Sequence, residues 1–197
     1  MENSSGNAYG LTVLSPIRNG PAEGPSHADL VRAAVAAFAE GAASPLAQVN
    51  TTHMARLAVL DDVFYQAFPA AQDHLKSKYL FFSTNFDGKL ADYLELMRTR
   101  IPEDVDGVWK HCVNFPGTRD AKAFHEYFKR CQVGNAIFFA DYPDATVSDV
   151  LRALDTQSAF VDFIVRNQQT APEDLKDAFD EFMAELGSRP QPAPGSI

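Results

Sequence analysis

The chain has 197 residues and a formal net charge of −9 at pH 7, and such an acidic surface repels a phosphate backbone and argues against general nucleic-acid binding. Hydrophobic residues make up 46% of it, with fifteen Phe, which is typical of one folded globular domain. No apolar run approaches the roughly 20 residues that span a membrane, and the first residues lack the pattern of a secretory signal. We therefore expect a soluble cytoplasmic protein with no membrane partner and no nucleic-acid partner.

Sequence periodicity predicts a single α+β domain over residues 9–187, between a flexible tail at residues 1–8 and a Pro-rich disordered tail at residues 188–197. The first two strands are predicted at residues 9–17 and at residues 52–60, where side chains alternate between the two faces of a sheet.

The stretch at residues 78–88, Lys-Tyr-Leu-Phe-Phe-Ser-Thr-Asn-Phe-Asp-Gly, has the short aromatic pattern of a central strand. Alternation places Tyr79 and Asn85 on one face, and both faces are largely apolar, so both have to be covered. Asp87 lies where the strand ends. Its carboxylate is expected to cap a helix that begins near Lys89.

Helices are predicted between and after the strands, with a Gly/Pro loop at residues 18–25 and a turn-forming loop at residues 115–120. Residues 61–77 connect two strands through a short helical turn near Pro69, and residues 136–140, Ala-Ile-Phe-Phe-Ala, are predicted to form a fourth strand. Two C-terminal helices follow, the first with a break near Thr156. The second has an apolar stripe too wide for a helix in solvent. Its members are Leu175, Ala178, Phe179, Phe182, Met183 and Leu186.

The order of these elements predicts a ferredoxin-like βαββαβ antiparallel sheet with extra C-terminal helices. Helices between the strands would cover one face of this sheet. The other face, the open face, would then meet the C-terminal helices, a second subunit or a ligand.

With this order, residues 81–88 (Phe-Phe-Ser-Thr-Asn-Phe-Asp-Gly) and residues 116–120 (Pro-Gly-Thr-Arg-Asp) resemble the dimeric α/β-barrel superfamily, and within it a set of small bacterial proteins. The likeness covers most of residues 9–166. It implies a homodimer in which two sheets pack open face to open face. Members of the superfamily include haem peroxidases and haem-degrading monooxygenases, cofactor-free oxygenases, polyketide cyclases and small-ligand sensors, so the fold alone does not select a function.

Haem is the one cofactor that this resemblance suggests. Dye-decolourising peroxidases carry Gly-x-x-Asp-Gly with the aspartate near the haem, and residues 84–88, Thr-Asn-Phe-Asp-Gly, keep only the final pair. Neither His111 nor His125 lies in a recognisable axial-ligand motif. We therefore expect no cofactor, and haem stays a minority alternative.

His53 is the candidate catalytic residue, because a histidine on a strand with Ala55, Leu57 and Val59 could act as a general base in an apolar cavity. The alternative is a structural histidine in the core or at the strand end. In a regular strand Arg56 would face the opposite way, so the two side chains would share a cavity only through a β-bulge.

Six further residues are candidates for binding an apolar or aromatic ligand. The structural alternatives are a helix cap for Asp87, a bond to strand-end backbone for Asn85 and a core or interface ring for Trp109. His111 could instead face solvent or a partner, and Arg119 could form an ion pair. For ligand binding, Arg119 has the planar fork that suits a carboxylate. No His-x-x-x-His or Cys-x-x-Cys spacing occurs, so no metal site is predicted. The six are Tyr79, Asn85, Asp87, Trp109, His111 and Arg119.

Together these residues favour a small-molecule-binding protein or a cofactor-free enzyme of the oxygenase, cyclase or isomerase type, with an apolar pocket over the open face. Two alternatives stay open. One is a non-catalytic interaction or dimerisation protein, and the other is a haem-binding, peroxidase-like or haem-processing protein.

Overall fold

The computed structural model describes residues 3–20, 24–63 and 73–196, which form an antiparallel sheet with six α-helices and two short 3₁₀ helices, Gly41–Ala43 and Pro45–Gln48. The turn predicted near Pro69 lies outside the described residues. In space the strands follow the order β1-β2-β4-β3. The strands are β1 (Ser4–Ser5), β2 (Ala8–Pro16), β3 (Thr52–Leu60) and β4 (Tyr79–Asp87), and the helices are α1 (His27–Ala36), α2 (Leu90–Arg100), α3 (Pro102–Trp109), α4 (Ala121–Cys131), α5 (Val147–Arg166) and α6 (Pro172–Ser188).

Strand β4 is central, since it pairs antiparallel with β2 on one side and with β3 on the other. Its alternate side chains are fully buried under the helices. Phe86 stacks on Tyr93 of α2 with ring centroids 3.8 Å apart, and Phe82 meets Trp109 of α3 edge to face at 5.4 Å. These aromatic contacts and the burial around them hold the helices on one face of the sheet.

Residues 136–140 do not form the predicted fourth strand. The chain reaches β2 earlier, where Gln132 makes a single antiparallel bridge with Val13. Farther along β2 the backbone groups of Gly10 already have partners, because its N–H donates to the Asn3 carbonyl at 2.7 Å and its carbonyl accepts from the Asn135 side chain at 3.2 Å. The edge of β2 at Gly10 is therefore occupied before residues 136–140 reach it, and the βαββαβ order is not completed.

The open face of the sheet is covered only in part. At one end the ring of Phe138 lies over Gly10, where a Cβ would come within 2.6 Å of it, so that only glycine fits. Farther along, Leu14 and Phe81 are half-buried neighbours in register, and Ala58 beside them on β3 is exposed.

Helices α5 and α6 form an antiparallel pair, here called the C-terminal hairpin, with its own small cluster of buried residues. Thr146 begins α5 with a capping box, in which its hydroxyl accepts from the Asp149 N–H and the Asp149 carboxylate accepts from the Thr146 N–H. The break predicted near Thr156 is absent, because α5 continues for 20 residues. The cluster consists of Ala159, Phe163 and Phe182, with Ala178 and Leu186 packed against it.

Residues 189–196, which the sequence predicts to be a disordered tail, return along the hairpin. The guanidinium of Arg189 donates two hydrogen bonds, of 3.0 and 2.7 Å, to the Asp155 carboxylate of α5. Gly195 then lies against Gly41 so closely that a Cβ would be 2.6 Å from the Gly41 carbonyl carbon, and its φ of +74° also favours glycine. The end of the described chain thus contacts the turn that precedes β3.

Candidate functional site

His53 is the extra residue of a β-bulge at the start of β3. Thr52 pairs with Phe86 and Met54 pairs with Asn85, so two neighbouring residues of β4 face three of β3 and His53 has no partner in the ladder. The bulge takes the imidazole off the helix-covered face and turns it toward the last residue of β4. The sequence predicts that His53 shares a face with Ala55, Leu57 and Val59, and the bulge separates it from them.

The imidazole of His53 is bonded to Asp87, with Nε2 and Oδ1 2.6 Å apart. The pair is mostly shielded, since the side chains of His53 and Asp87 are 24% and 10% exposed. The second carboxylate oxygen accepts the N–H of Val147, the first residue of α5, at 2.8 Å. The positive end of the helix dipole favours a charged carboxylate at this position. Asp87 therefore fixes the ring and leaves Nδ1 as the nitrogen that can meet a ligand.

Asp87 does not cap the helix that the sequence predicts. Lys89 is the N-cap of α2, and no side chain caps that end. Gly88 has a φ of +90° and turns the chain sharply between β4 and α2, so the Asp87 carboxylate is directed to α5 instead. A contact across 60 residues of sequence replaces a local one.

Beside His53 lies a groove of about 200 Å³, which we call the His53 groove. The turns before β3 and the first residues of β3 form its walls together with the end of the chain. Its size suits a ligand of few heavy atoms, since drug-sized sites start at about 300 Å³. Its lining is mostly small and apolar and includes Leu46, Ala47, Met54, Ala55 and Pro194.

A smaller recess of about 90 Å³ adjoins the groove on the open face, and the two share Met54 and Ala55. Polar side chains line it, with Arg56 and Ser83 facing each other in register and Asn85 beside them. Arg56 and His53 therefore come to the same side of the sheet, as a β-bulge allows.

Three of the candidate residues lie elsewhere in the fold. Tyr79 is at the opposite end of β4, about 25 Å from Asp87 at the rise of a strand. Trp109 is buried in the core, where its Nε1–H donates to the Ser15 hydroxyl at 3.2 Å. Arg119 is exposed in the loop before α4. Of the six ligand-binding candidates, Asn85 and Asp87 are the two that lie near His53.

The remaining candidate, His111, pairs with a residue that the sequence does not single out. Its Nδ1 lies 3.2 Å from Nδ1 of His27, the first residue of α1. Burial lowers the pKa of His111, and the nearby charges of Lys110, His27 and Arg18 lower it further. One nitrogen has to donate and the other to accept, so this contact requires that at least one ring be neutral.

The two cysteines are poor nucleophiles. Burial raises the pKa of the Cys112 thiol to about 12, and burial likewise raises the pKa of Cys131. Both stay protonated at neutral pH, and the thiolate is the reactive form. Neither residue belongs to the His53 groove.

Within residues 3–20, 24–63 and 73–196, no three His, Cys, Asp or Glu side chains lie close enough together to hold a metal ion. Over the same ranges no helix combines the length and the apolar character needed to cross a membrane. The sequence matches no protein-family model, no curated protein and no solved structure.

Proposed function

We propose that the protein binds a small, largely apolar molecule in the His53 groove and that the His53–Asp87 pair acts on it as a general base. The observation that carries this proposal is the 2.6 Å bond from Nε2 to the carboxylate. An imidazole held in this way has a fixed tautomer, and Asp87 stabilises the imidazolium that forms when Nδ1 takes up a proton.

The shape and polarity of the groove restrict the substrate. Its apolar walls favour a compact molecule that has an acidic C–H next to an electron-withdrawing group. Nδ1 would take up that proton, and the C–H electron pair would stay on the substrate and delocalise into the electron-withdrawing group. Arg56 and Asn85 in the adjoining recess are placed to bind a polar substituent. This is chemistry of the isomerase or cyclase type and needs no cofactor.

A benzisoxazole that carries a nitro group tests the proposal, because removal of the proton on C3 of its isoxazole ring breaks the N–O bond and opens the ring to a coloured cyanonitrophenolate. We expect the wild type to accelerate this elimination. His53→Ala should lower kcat/KM by about 10²-fold or more, and Asp87→Asn should lower it as well.

The chain offers a matched control in His74, whose Nδ1 lies 2.7 Å from Asp62 but whose side chain is 67% exposed. His74→Ala should leave the rate unchanged, because this ring is mostly exposed and does not line the His53 groove. The proposal fails if the wild type is no faster than free imidazole at equal concentration, or if His53→Ala keeps the rate.

We further infer a distant relation to the dimeric α/β-barrel superfamily. The order β2, α1, β3, β4, with β4 between the two earlier strands, agrees with the first half of a ferredoxin-like arrangement. A crystal structure with a ligand bound on the open face would support the relation to the superfamily. An empty open face together with an occupied His53 groove would support the proposed binding site and not the relation.

A further inference from the structure

One face of α5 is apolar, uncharged and turned to solvent. Five residues mark its centre line, at alternating spacings of four and three along the chain, and they are Val150, Leu154, Gln157, Val161 and Ile164. We call these five the α5 stripe. Its four apolar members are 39–51% exposed. Apolar residues that recur every 3.5 positions are the pattern of a coiled-coil seam.

The other side of α5 already has its partner. Ala159 and Phe163 face α6 in the small buried cluster. At 3.6 residues per turn, the charged residues of α5 lie off the stripe, and Arg152 and Asp155 are on the side of Arg189. The α5 stripe is therefore a second contact face, separate from the one that forms the hairpin.

The apolar surface extends beyond the stripe itself. Phe160 and Val165 flank it and are also exposed. Phe160 continues toward α6, where it lines an apolar groove of about 410 Å³ with Leu175 and Phe179. From Val150 to Ile164 the stripe runs about 21 Å at the rise of an α-helix. A continuous apolar patch of this length marks an interaction site.

We propose that the α5 stripe is a homodimer interface, in which α5 pairs with α5 of a second copy and the two hairpins form a four-helix bundle. The stripe fits itself, since Val150 and Ile164 lie seven residues to either side of Gln157. A twofold axis at Gln157 then brings the two amides together, where they can hydrogen-bond to each other in a seam that is otherwise apolar.

Charge also favours a second copy over the other occupants. The chain carries a net charge of −9, but the stripe has no charged residue, so pairing two stripes brings no like charges into contact. A lipid surface is a poorer fit, because interfacial helices flank their apolar face with many Lys and Arg. Here α6 contributes mainly acidic residues, from Glu173 to Glu185.

This interface differs from the one that the superfamily resemblance implies, in which open sheet faces meet. It also does not depend on the proposed function, because no residue of the stripe lines the His53 groove. The two proposals can therefore fail separately.

Sedimentation of the full chain tests the proposal. The wild type should have a mass of twice 21.6 kDa. Val161→Asp should raise the dissociation constant of the dimer by about 30-fold or more, and Gln157→Leu should lower it. The control is Ile137→Asp, which introduces the same charge at a side chain that is 83% exposed and off the hairpin, and it should stay dimeric. All four proteins should give the same far-UV circular dichroism spectrum, which shows that each variant is folded, while Val161→Asp should melt at a lower temperature because it loses the stabilisation that association provides.

A cysteine at the proposed axis gives a second measurement. In a Cys131→Ser background, Gln157→Cys should form a disulfide-linked dimer under mild oxidation, while Asp162→Cys on the far side of the helix should not. Cys112 is fully buried and does not interfere. A monomeric wild type, or a dimer that persists in Val161→Asp and leaves Gln157→Cys unlinked, overturns the proposal.

Discussion

The sheet core and the C-terminal hairpin bury their aromatic residues to very different degrees. Phe82 and Phe86 of β4 are completely inaccessible to solvent, between neighbouring strands and under a layer of helices. In the hairpin, the buried residues Ala159, Phe163 and Phe182 each keep 7–8% exposure. The outer surface of the same two helices carries several large apolar side chains that are exposed far more.

The difference follows from the number of layers. A sheet with helices on one face encloses a core between two layers. Two helices alone have contact along one line and cannot enclose the other side of either helix. The hairpin therefore has the composition of a core element but the burial of a surface element.

The largest effect is expected from the sheet core. Phe82→Ala removes a ring that packs edge to face on Trp109, and it should lower the free energy of unfolding by about 3–5 kcal/mol. Chemical denaturation with fluorescence of the single Trp measures this. A loss under 1 kcal/mol would mean that the sheet is not the main core.

A smaller and local effect is expected in the hairpin. Phe182→Ala removes a ring that stacks on Phe163 at 4.8 Å, and it should cost about 2 kcal/mol, the transfer energy of one Phe side chain. Hydrogen exchange should accelerate in α5 and α6 and stay slow in β4. Equal acceleration in β4 would show that the two regions unfold as one unit and would remove the distinction.

Loss of the Asp87 contacts that connect the sheet to the hairpin should lower stability by less. Asp87→Asn keeps the shape of the side chain but removes the charge that holds His53 and caps α5, and it should cost about 1 kcal/mol. Melting curves of the variant and of His53→Ala check this. If the carboxylate joins the regions, exchange at the first turn of α5 should accelerate in Asp87→Asn.

The smallest effect is expected from acid, and it should be confined to the sheet core. Because the pKa of His111 is lowered from 6.5 in the fold, the unfolded chain binds more protons below about pH 6.5, and stability falls as the pH drops through that range. His111→Asn should reduce the fall between pH 7.5 and 5.5. An identical fall in wild type and variant would assign the acid sensitivity to other groups.

Local pattern was sufficient for three of the four main predicted strands. The alternation at residues 52–60 and residues 78–88 gives the observed β3 and β4 almost to the residue. Residues 136–140 have an equally strong pattern, but their pairing edge is taken by Asn3 and Asn135. Which segment pairs with a given strand edge depends on the assembled sheet, so it cannot be predicted from the local sequence of residues 136–140.

The site could be predicted only in its residue types. His53 and Asp87 are both candidate residues in the sequence. Their contact depends on a β-bulge, and no glycine or proline near His53 indicates that bulge. The His27–His111 contact joins residues 84 positions apart, and neither has a neighbouring motif. The spacing of the last helix predicted an apolar stripe, of which Phe182 is buried while Phe179 and Met183 are exposed, because one partner helix covers only part of it.

The two oxygens of Asp87 connect the groove to the hairpin in a thermodynamic sense. One oxygen meets the His53 ring and the other meets the backbone of Val147. The carboxylate that holds the ring therefore also stabilises the N-terminus of α5. By reciprocity, a ligand whose binding strengthens the contact between Asp87 and His53 changes the stability of the first turn of α5, and whatever stabilises that turn changes the affinity for the ligand by an equal free energy.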